Sequence, residues 1–332
     1  MREQSYRLAT YVRGNETPRA GIVVDDALLD VTTILAASGE TSSSTSPAQV
    51  LQILDQWPSV NPILAQAARG QRRGTVHRGA GRRGDAVAMA TPVRNVRLLA
   101  PILYPGTIFC AGANYRDHVA EMSKAMNLPA ERDPHEAGLK PWHFIKASAA
   151  CVRGSGELIR LPAYSKKVDW EAEIAVIIGR ECRNVSIEQA LGFVAGLSIV
   201  NDLSARDHLR RPGVAIDSPF HFDWVSQKCF EGALPFGPWI CPLDDIDDIG
   251  NLGIRLWVNE ELMQDSSSSN MIFSIAEQIA HLSTRLTLRP GDVIATGTPA
   301  GCGAARGIFL KSGDRVSISV DGLGTLINDF GN

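Results

Sequence analysis

The stretch VDWEAEIAVIIG, residues 168–179, sets two glutamates two positions apart at the head of an otherwise apolar run. Side chains alternate faces along a β-strand, so Glu171 and Glu173 point the same way, with Asp169 beside them at the strand's entrance. Two like charges held side by side away from water need a cation or a proton to compensate them. A third carboxylate, Asp202, closes the apolar run GLSIVND, where a strand would deliver it to the rim of a core. Three carboxylates from two strand ends offer hard oxygen ligands for Mg²⁺ or Mn²⁺ and leave other positions for water and substrate. The immediate cluster holds no histidine or cysteine, which speaks against zinc. The plain alternative is a solvated strand face with Asp202 capping a turn. Against it, Ala175 and Ile177 continue the glutamates' own face, and a face charged at one end and apolar beyond suggests the mouth of a pocket.

A candidate base lies upstream. In AGANYRDHVAEM, residues 111–122, His118 and Glu121 are three apart, neighbours on one face of a helix. A carboxylate beside an imidazole orients it and raises its basicity, as a general base acting on water requires. An incidental surface pair is the alternative. Gly112 and Asn114 mark the turn into this helix. The following SKAMNLPAERDPHEAGLK is polar and proline-punctuated, and reads as a surface segment able to act as a lid, with His135 and Glu136 within it.

These groups must be positioned by a sizeable core, and the composition allows one: 332 residues, 44% hydrophobic and 21% charged. A net charge of -3 gives no reason to expect nucleic acid or an anionic membrane as partner. The basic, Gly-rich ARGQRRGTVHRGAGRRG at 68–84 reads as a solvated loop or linker. There is no signal-like apolar segment at the N-terminus and no apolar run long enough to cross a bilayer. Six scattered cysteines without a CxxC pair fit reduced thiols, and the expected location is the cytoplasm.

Along the chain, YRLATYVRG and RAGIVVDDALLDV read as strands around a DD turn, AQVLQILDQW as a short helix, and TSSSTSP as a polar loop. Capping-box spacing at Ser186/Gln189 and Ser274/Glu277 predicts the helices IEQALGFVAG and IAEQIAHLSTRL. LRPGDVIATG and LKSGDRVSISV are turn-then-strand units, and DGLGTLINDF closes with a hairpin. The coarse expectation is a mixed, strongly β core with a few peripheral helices.

In this order the elements resemble the fumarylacetoacetate hydrolase superfamily. The resemblance rests on GANYRDHVAE, DWEAEIAVIIGR, NDLSARD, Lys228 in SQKCF, GPWI at 237–240 and LRPGDVIATGTPAGCG at 288–303. It implies a mixed β-rich α+β fold, with a β-roll catalytic domain over 96–332 and a small β-rich N-terminal domain over 1–95, usually as a homodimer. It further implies Mg²⁺ or Mn²⁺ held by Glu171, Glu173 and Asp202, and a water-activating dyad of His118 and Glu121. Lys228 would be the cation near the substrate's oxygens, and Tyr115, Gly297 and Thr298 substrate contacts. The chemistry expected is hydrolysis of a carbon–carbon bond in a β-diketone or 2,4-dioxo acid, with an enolate stabilised by metal and Lys228. The same constellation also suits a tautomerase or decarboxylase of a 2-oxo acid, and a silent metal-binding relative is the third reading.

Two departures bear on the substrate. TIFCAG lacks the further acidic ligand of fumarylacetoacetate hydrolase proper, and Leu209 stands where that enzyme has a substrate-binding glutamine. Both point instead to the smaller bacterial-type members, such as acylpyruvate hydrolases. The long segment HLRRPGVAIDSPFHFDWVSQ should border the pocket, where Phe220, Phe222 and Trp224 contact an apolar substrate or else pack an interface or core. Arg206 and Asp207 are expected to form a structural ion pair. Ser266 to Ser269 read as a polar turn, since no G-x-S-x-G elbow is present.

Overall fold

The expected N-terminal meander forms: strands Arg7–Val12, Arg19–Val24 and Ala27–Asp30 pair antiparallel in sequence order. This computed structural model describes residues 5–39, 49–74, 90–127, 129 and 132–332. The DD turn places Asp25 in the left-handed region at φ 52°, a conformation that aspartate tolerates better than most residues. Asp30 ends the third strand and caps the helix Val31–Ser38 by accepting the Thr33 N–H. The TSSSTSP loop at 41–47 lies outside the described residues.

The helix expected at AQVLQILDQW is instead two, Val50–Leu54 and Trp57–Arg72. The second takes in the first residues of the basic segment, so 68–72 are helical and not loop; 75–84 lie outside the described residues. Its buried positions, Trp57, Val60, Leu64 and Ala68, recur every three or four residues, a helical period that persists beneath the arginines.

The longest sheet runs, from edge to edge, Thr91–Pro92, Ala27–Asp30, Arg19–Val24, Arg7–Val12, Leu234–Pro242, Val194–Asn201, Ala172–Ile178, Val293–Ala295, Ile108–Ala111 and His143–Lys146. The N-terminal strands join the rest of the chain through Leu8, opposite Ile240. A second sheet contains Glu261–Ser267, Gly253–Val258, Arg315–Val320, Gly324–Gly331 and Ile159–Arg160. Every residue of Ala172–Ile178 is buried, because both faces of this central strand are covered.

Helix Ile275–Arg285 opens with the Ser274/Glu277 capping box as expected. The Ser186/Gln189 box is also present, but its helix is only Ile187–Ala190; Leu191–Phe193 tighten into a 3-10 turn and Val194 begins a strand. Strand pairing on both edges of Val194–Asn201 overrides the helical start. Among the described residues, no helix is long and apolar enough to cross a membrane.

Candidate active site

The two acidic motifs meet because Ala172–Ile178 and Val194–Asn201 pair antiparallel with Ala172 opposite Asn201. This register sets Asp202 beside Glu171, whose carbonyl accepts the Asp202 N–H at 2.9 Å, while Asn201 Oδ1 accepts the Glu171 N–H at 2.9 Å. Oxygens of Glu171, Glu173 and Asp202 lie within 4.8 Å of one another. The three residues are 5%, 1% and 1% exposed, so a solvated strand face is ruled out. Glu173 Oε2 accepts the Gly297 N–H at 2.7 Å. Gly297 has φ 94°, and a Cβ there would stand 2.8 Å from Asn114 Cβ, so only glycine brings this amide to the carboxylate. Burial and the charges of Asp202 and Glu171 push the Glu173 carboxyl well above its ordinary pKa. Burial pushes Glu171 the same way, but Lys228 and Arg206 outweigh it and hold its pKa low.

Three buried or half-buried cations answer the carboxylates. Lys228 Nζ donates to Glu171 Oε2 at 2.8 Å and Asp202 Oδ2 at 2.7 Å, and sits 4.7 Å from the centre of the Phe144 ring. Burial lowers the Lys228 pKa, but Asp202 and Glu171 more than reverse this and raise it. Arg206 binds Asp169 at 2.9 Å and also Glu171. The expected Arg206–Asp207 pair is not formed: Asp207 accepts from Ser165 Oγ at 2.5 Å and the Lys166 N–H at 2.9 Å. The guanidinium turns inward because Asp169 and Glu171 are buried charges needing compensation. Lys146, which sequence reasoning missed, lies 2.8 Å from Asp202 Oδ1. Its hydrogens, however, are directed at the carbonyls of Leu203, Lys228 and Ala233, at 2.9, 2.6 and 2.8 Å.

Asp202 Oδ1 is therefore buried without a hydrogen bond. The Lys146 ammonium stands beside it as an ion pair, so its charge is answered while its hydrogen-bonding capacity is not. Four carboxylates, Asp169, Glu171, Glu173 and Asp202, face three cations, Lys146, Arg206 and Lys228. A divalent ion that prefers hard oxygen ligands fits the donor set, with Glu171, Glu173 and Asp202 as the residues that would hold it.

His118, on helix Arg116–Ala125, lines the same cavity of about 160 Å³. Burial holds its pKa below the ordinary value, favouring the neutral imidazole, and its Nδ1 is 3.9 Å from Cys302 Sγ. Glu121 does not hydrogen-bond His118; its Oε2 accepts the Gly301 N–H at 2.8 Å. Thr298 also lines the cavity, with its hydroxyl donating to the Ala172 carbonyl at 3.0 Å and accepting from Gln264 Nε2 at 2.9 Å. Tyr115 is wholly buried and outside the cavity wall, and Gly297 faces Glu173. His135 docks away from the carboxylates, 2.8 Å from Glu277 Oε1 and against the Phe273 ring.

An aromatic wall faces the charged one. Trp224 lines the cavity, stacks on Phe144 at 5.3 Å between ring centres and meets Trp142 at 5.8 Å. Phe222 does not line it; its ring stands edge-on to His221 and is 44% exposed, and Phe220 is more exposed still. Trp142 and Phe144 had no place in the sequence reading. With Lys146 they recur every second residue in WHFIK, a strand alternation that could have placed all three on one face. Gly112 makes room for the wall, since a Cβ there would lie 1.9 Å from the Trp142 ring.

A buried acidic triad with lysine and imidazole at its edge, in a strand-rich α/β fold, has the oxygen donor set of a divalent-metal site. The sequence profile described as "Fumarylacetoacetate (FAA) hydrolase C-terminal" matches residues 107–330, and the chain belongs to this family. It is 38% identical over 237 residues to a mitochondrial oxaloacetate tautomerase, fahd2, of Xenopus laevis, covering 70% of this chain and 68% of that protein. Among solved structures it is similar to maleylpyruvate hydrolase from Sphingobium sp. SYK-6 in complex with manganese(II) and pyruvate (TM-score 0.70, 26% identity, 98% and 100% of the two chains). It is likewise similar to 2-hydroxyhepta-2,4-diene-1,7-dioate isomerase from Mycobacterium marinum (TM-score 0.65, 27% identity, 98% of each chain).

Proposed function

We propose that this chain is a divalent-metal-dependent enzyme that enolises a small 2-oxo acid, interconverting keto and enol forms of a diacid of the oxaloacetate class. The observation carrying this reading is the buried triad Glu171, Glu173 and Asp202, two of whose members, Glu171 and Glu173, line one cavity with His118, an imidazole whose pKa burial lowers. The similarity to oxaloacetate tautomerases at 38% identity supports it.

Glu171, Glu173 and Asp202 would hold Mg²⁺ or Mn²⁺, which would supply Lewis-acid polarisation of substrate oxygens when bound. Lys228 and Arg206 hold fixed positive charge against the oxygen on which negative charge develops, in a site where burial strengthens the interaction. His118 takes a proton from the carbon next to the carbonyl and returns it, moving it between carbon and oxygen. Trp142, Phe144 and Trp224 keep water away from the anion while the proton is in transit.

A second reading, hydrolysis of an acylpyruvate, is favoured by Glu121, which lies one turn beyond His118 on the helix Arg116–Ala125. His118 then deprotonates water, which adds to the distal carbonyl, and the departing carbon takes up the proton.

Metal-stripped protein, with and without added Mn²⁺, separates the readings when given enol-form oxaloacetate and a panel of acylpyruvates. Metal-restored loss of the enol absorbance with no change in mass is the expected result for oxaloacetate. Two fragments from an acylpyruvate would establish hydrolysis instead, and no metal-dependent change with any substrate overturns both.

A further inference from the structure

The short helix Trp224–Lys228 carries one polar side chain to which the site gives no task. Gln227 is 2% exposed and lines the active cavity, yet its Oε1 is buried without a hydrogen bond. Its backbone N–H donates to the Asp223 carbonyl at 3.3 Å, whereas the side-chain oxygen has no hydrogen-bond donor. Buried carboxamides are almost always satisfied, because leaving one unpaired costs the full desolvation of the group. Its chain neighbour Lys228 reaches Glu171 and Asp202, whereas Gln227 bonds to none of the carboxylates. Leu209 and Trp224, which line the same cavity, offer no side-chain carbonyl or carboxylate to it.

The helix itself is held firmly. Asp223 Oδ1 accepts the Ser226 N–H at 3.0 Å, Tyr164 donates its hydroxyl to the Ser226 carbonyl at 2.8 Å, and Trp224 stacks on Phe144. The amide is thus presented from a fixed element, and either end can turn to the cavity without breaking a bond.

We propose that Gln227 is a specificity residue whose side-chain amide, turned so that its NH₂ takes the place of the unpaired Oε1, donates to an oxygen at the end of the substrate remote from Glu171, Glu173 and Asp202. That oxygen belongs to a second carboxylate or carbonyl, so the preferred substrates are 2-oxo acids bearing one, with the intervening chain against the Trp224 and Phe144 rings. The proposal rests on the 2-oxo acid reading above and adds to it which end of the molecule is recognised, and by what.

The test is calorimetric binding to Mn²⁺-loaded protein of pyruvate and of 2-oxoglutarate and 2-oxoadipate, which share the 2-oxo acid head and differ in the distal carboxylate. In the wild type the diacids should bind more tightly than pyruvate. Gln227→Leu should weaken the diacids by about tenfold or more and leave pyruvate within about twofold. Gln227→Glu should weaken the diacids further by like-charge repulsion. A purely structural glutamine would instead change all three ligands together. Should leucine prevent folding, Gln227→Asn, which withdraws the amide by one methylene, carries the same comparison. Equal affinities of wild type for pyruvate and both diacids, or an unchanged preference in the variants, overturn this proposal alone. Failure of the wild type to bind any of the three overturns the functional reading with it.

Discussion

Two buried carboxylates in this molecule, Asp30 and Asp202, meet opposite fates. Asp30 is fully answered: Tyr11 donates its hydroxyl at 2.7 Å, Arg19 Nε at 2.8 Å and the Thr33 N–H at 3.0 Å, with the Thr32 hydroxyl adding a fourth bond. Burial pushes its pKa up, but these donors overcome that and hold it at about 2. Asp202 sits beside two other carboxylates, has two lysines close by and still keeps an unbonded oxygen. A satisfied buried charge ties structure together. A crowded one, ion-paired but short of hydrogen bonds, has the donor set a divalent ion would use.

The sharpest way to break this contrast is Glu173→Gln. The amide oxygen can still accept the Gly297 N–H, while one of three crowded side chains loses the ability to ionise. Metal-dependent turnover should fall by about 1,000-fold or more, while the melting temperature of the metal-free protein holds or rises. A large drop in that melting temperature would mean that the triad is structural. His118→Ala should lower turnover by about 10²- to 10⁴-fold while leaving Mn²⁺ affinity within a few-fold, read by calorimetry. Asp30→Ala inverts the pattern, costing about 2–4 kcal/mol in urea denaturation and leaving kcat of the folded protein unchanged.

The smallest effects are in pH. Asp30 has a folded pKa depressed below the unfolded value of about 3.9, so its contribution is complete above that value. It should fade as pH falls from about 4 towards 2, and the stability difference between wild type and Asp30→Ala should shrink over the same range. Burial depresses His118, so the acid limb of kcat/KM should lie below the ordinary histidine value of about 6.5. A limb above 6.5 would mean that another group, or a charged imidazole, governs the rate.

Much of the site was legible because its residues lie on regular elements whose periods are readable. Glu171 and Glu173 follow strand alternation, Asp202 terminates an apolar strand, and His118 rides on a helix with a marked start. What was not legible depends on distant chain. Glu121 pairs with Gly301, 180 residues away, and nothing local could distinguish that from a bond to His118. Arg206 chose between a neighbour in sequence and two carboxylates brought close only by the Val168–Asp169/Ser204–Ala205 pairing. The helix Trp57–Arg72 was hidden by composition, since its arginines and glycine resemble a loop while its buried residues keep helical spacing.

The loop at 297–303 gives the site a place in time as well as in space. Its backbone amides grip Glu173 from Gly297, Glu121 from Gly301 and Asp169 from Gly303. Glu173 waits 124 residues for its amide, and Asp169 waits 134. During synthesis the acidic motifs therefore leave the ribosome long before the segment that arranges them. The arrangement of the carboxylates depends on residues 297–303, and a chain truncated before residue 297 should lack the three amides that hold Glu173, Glu121 and Asp169.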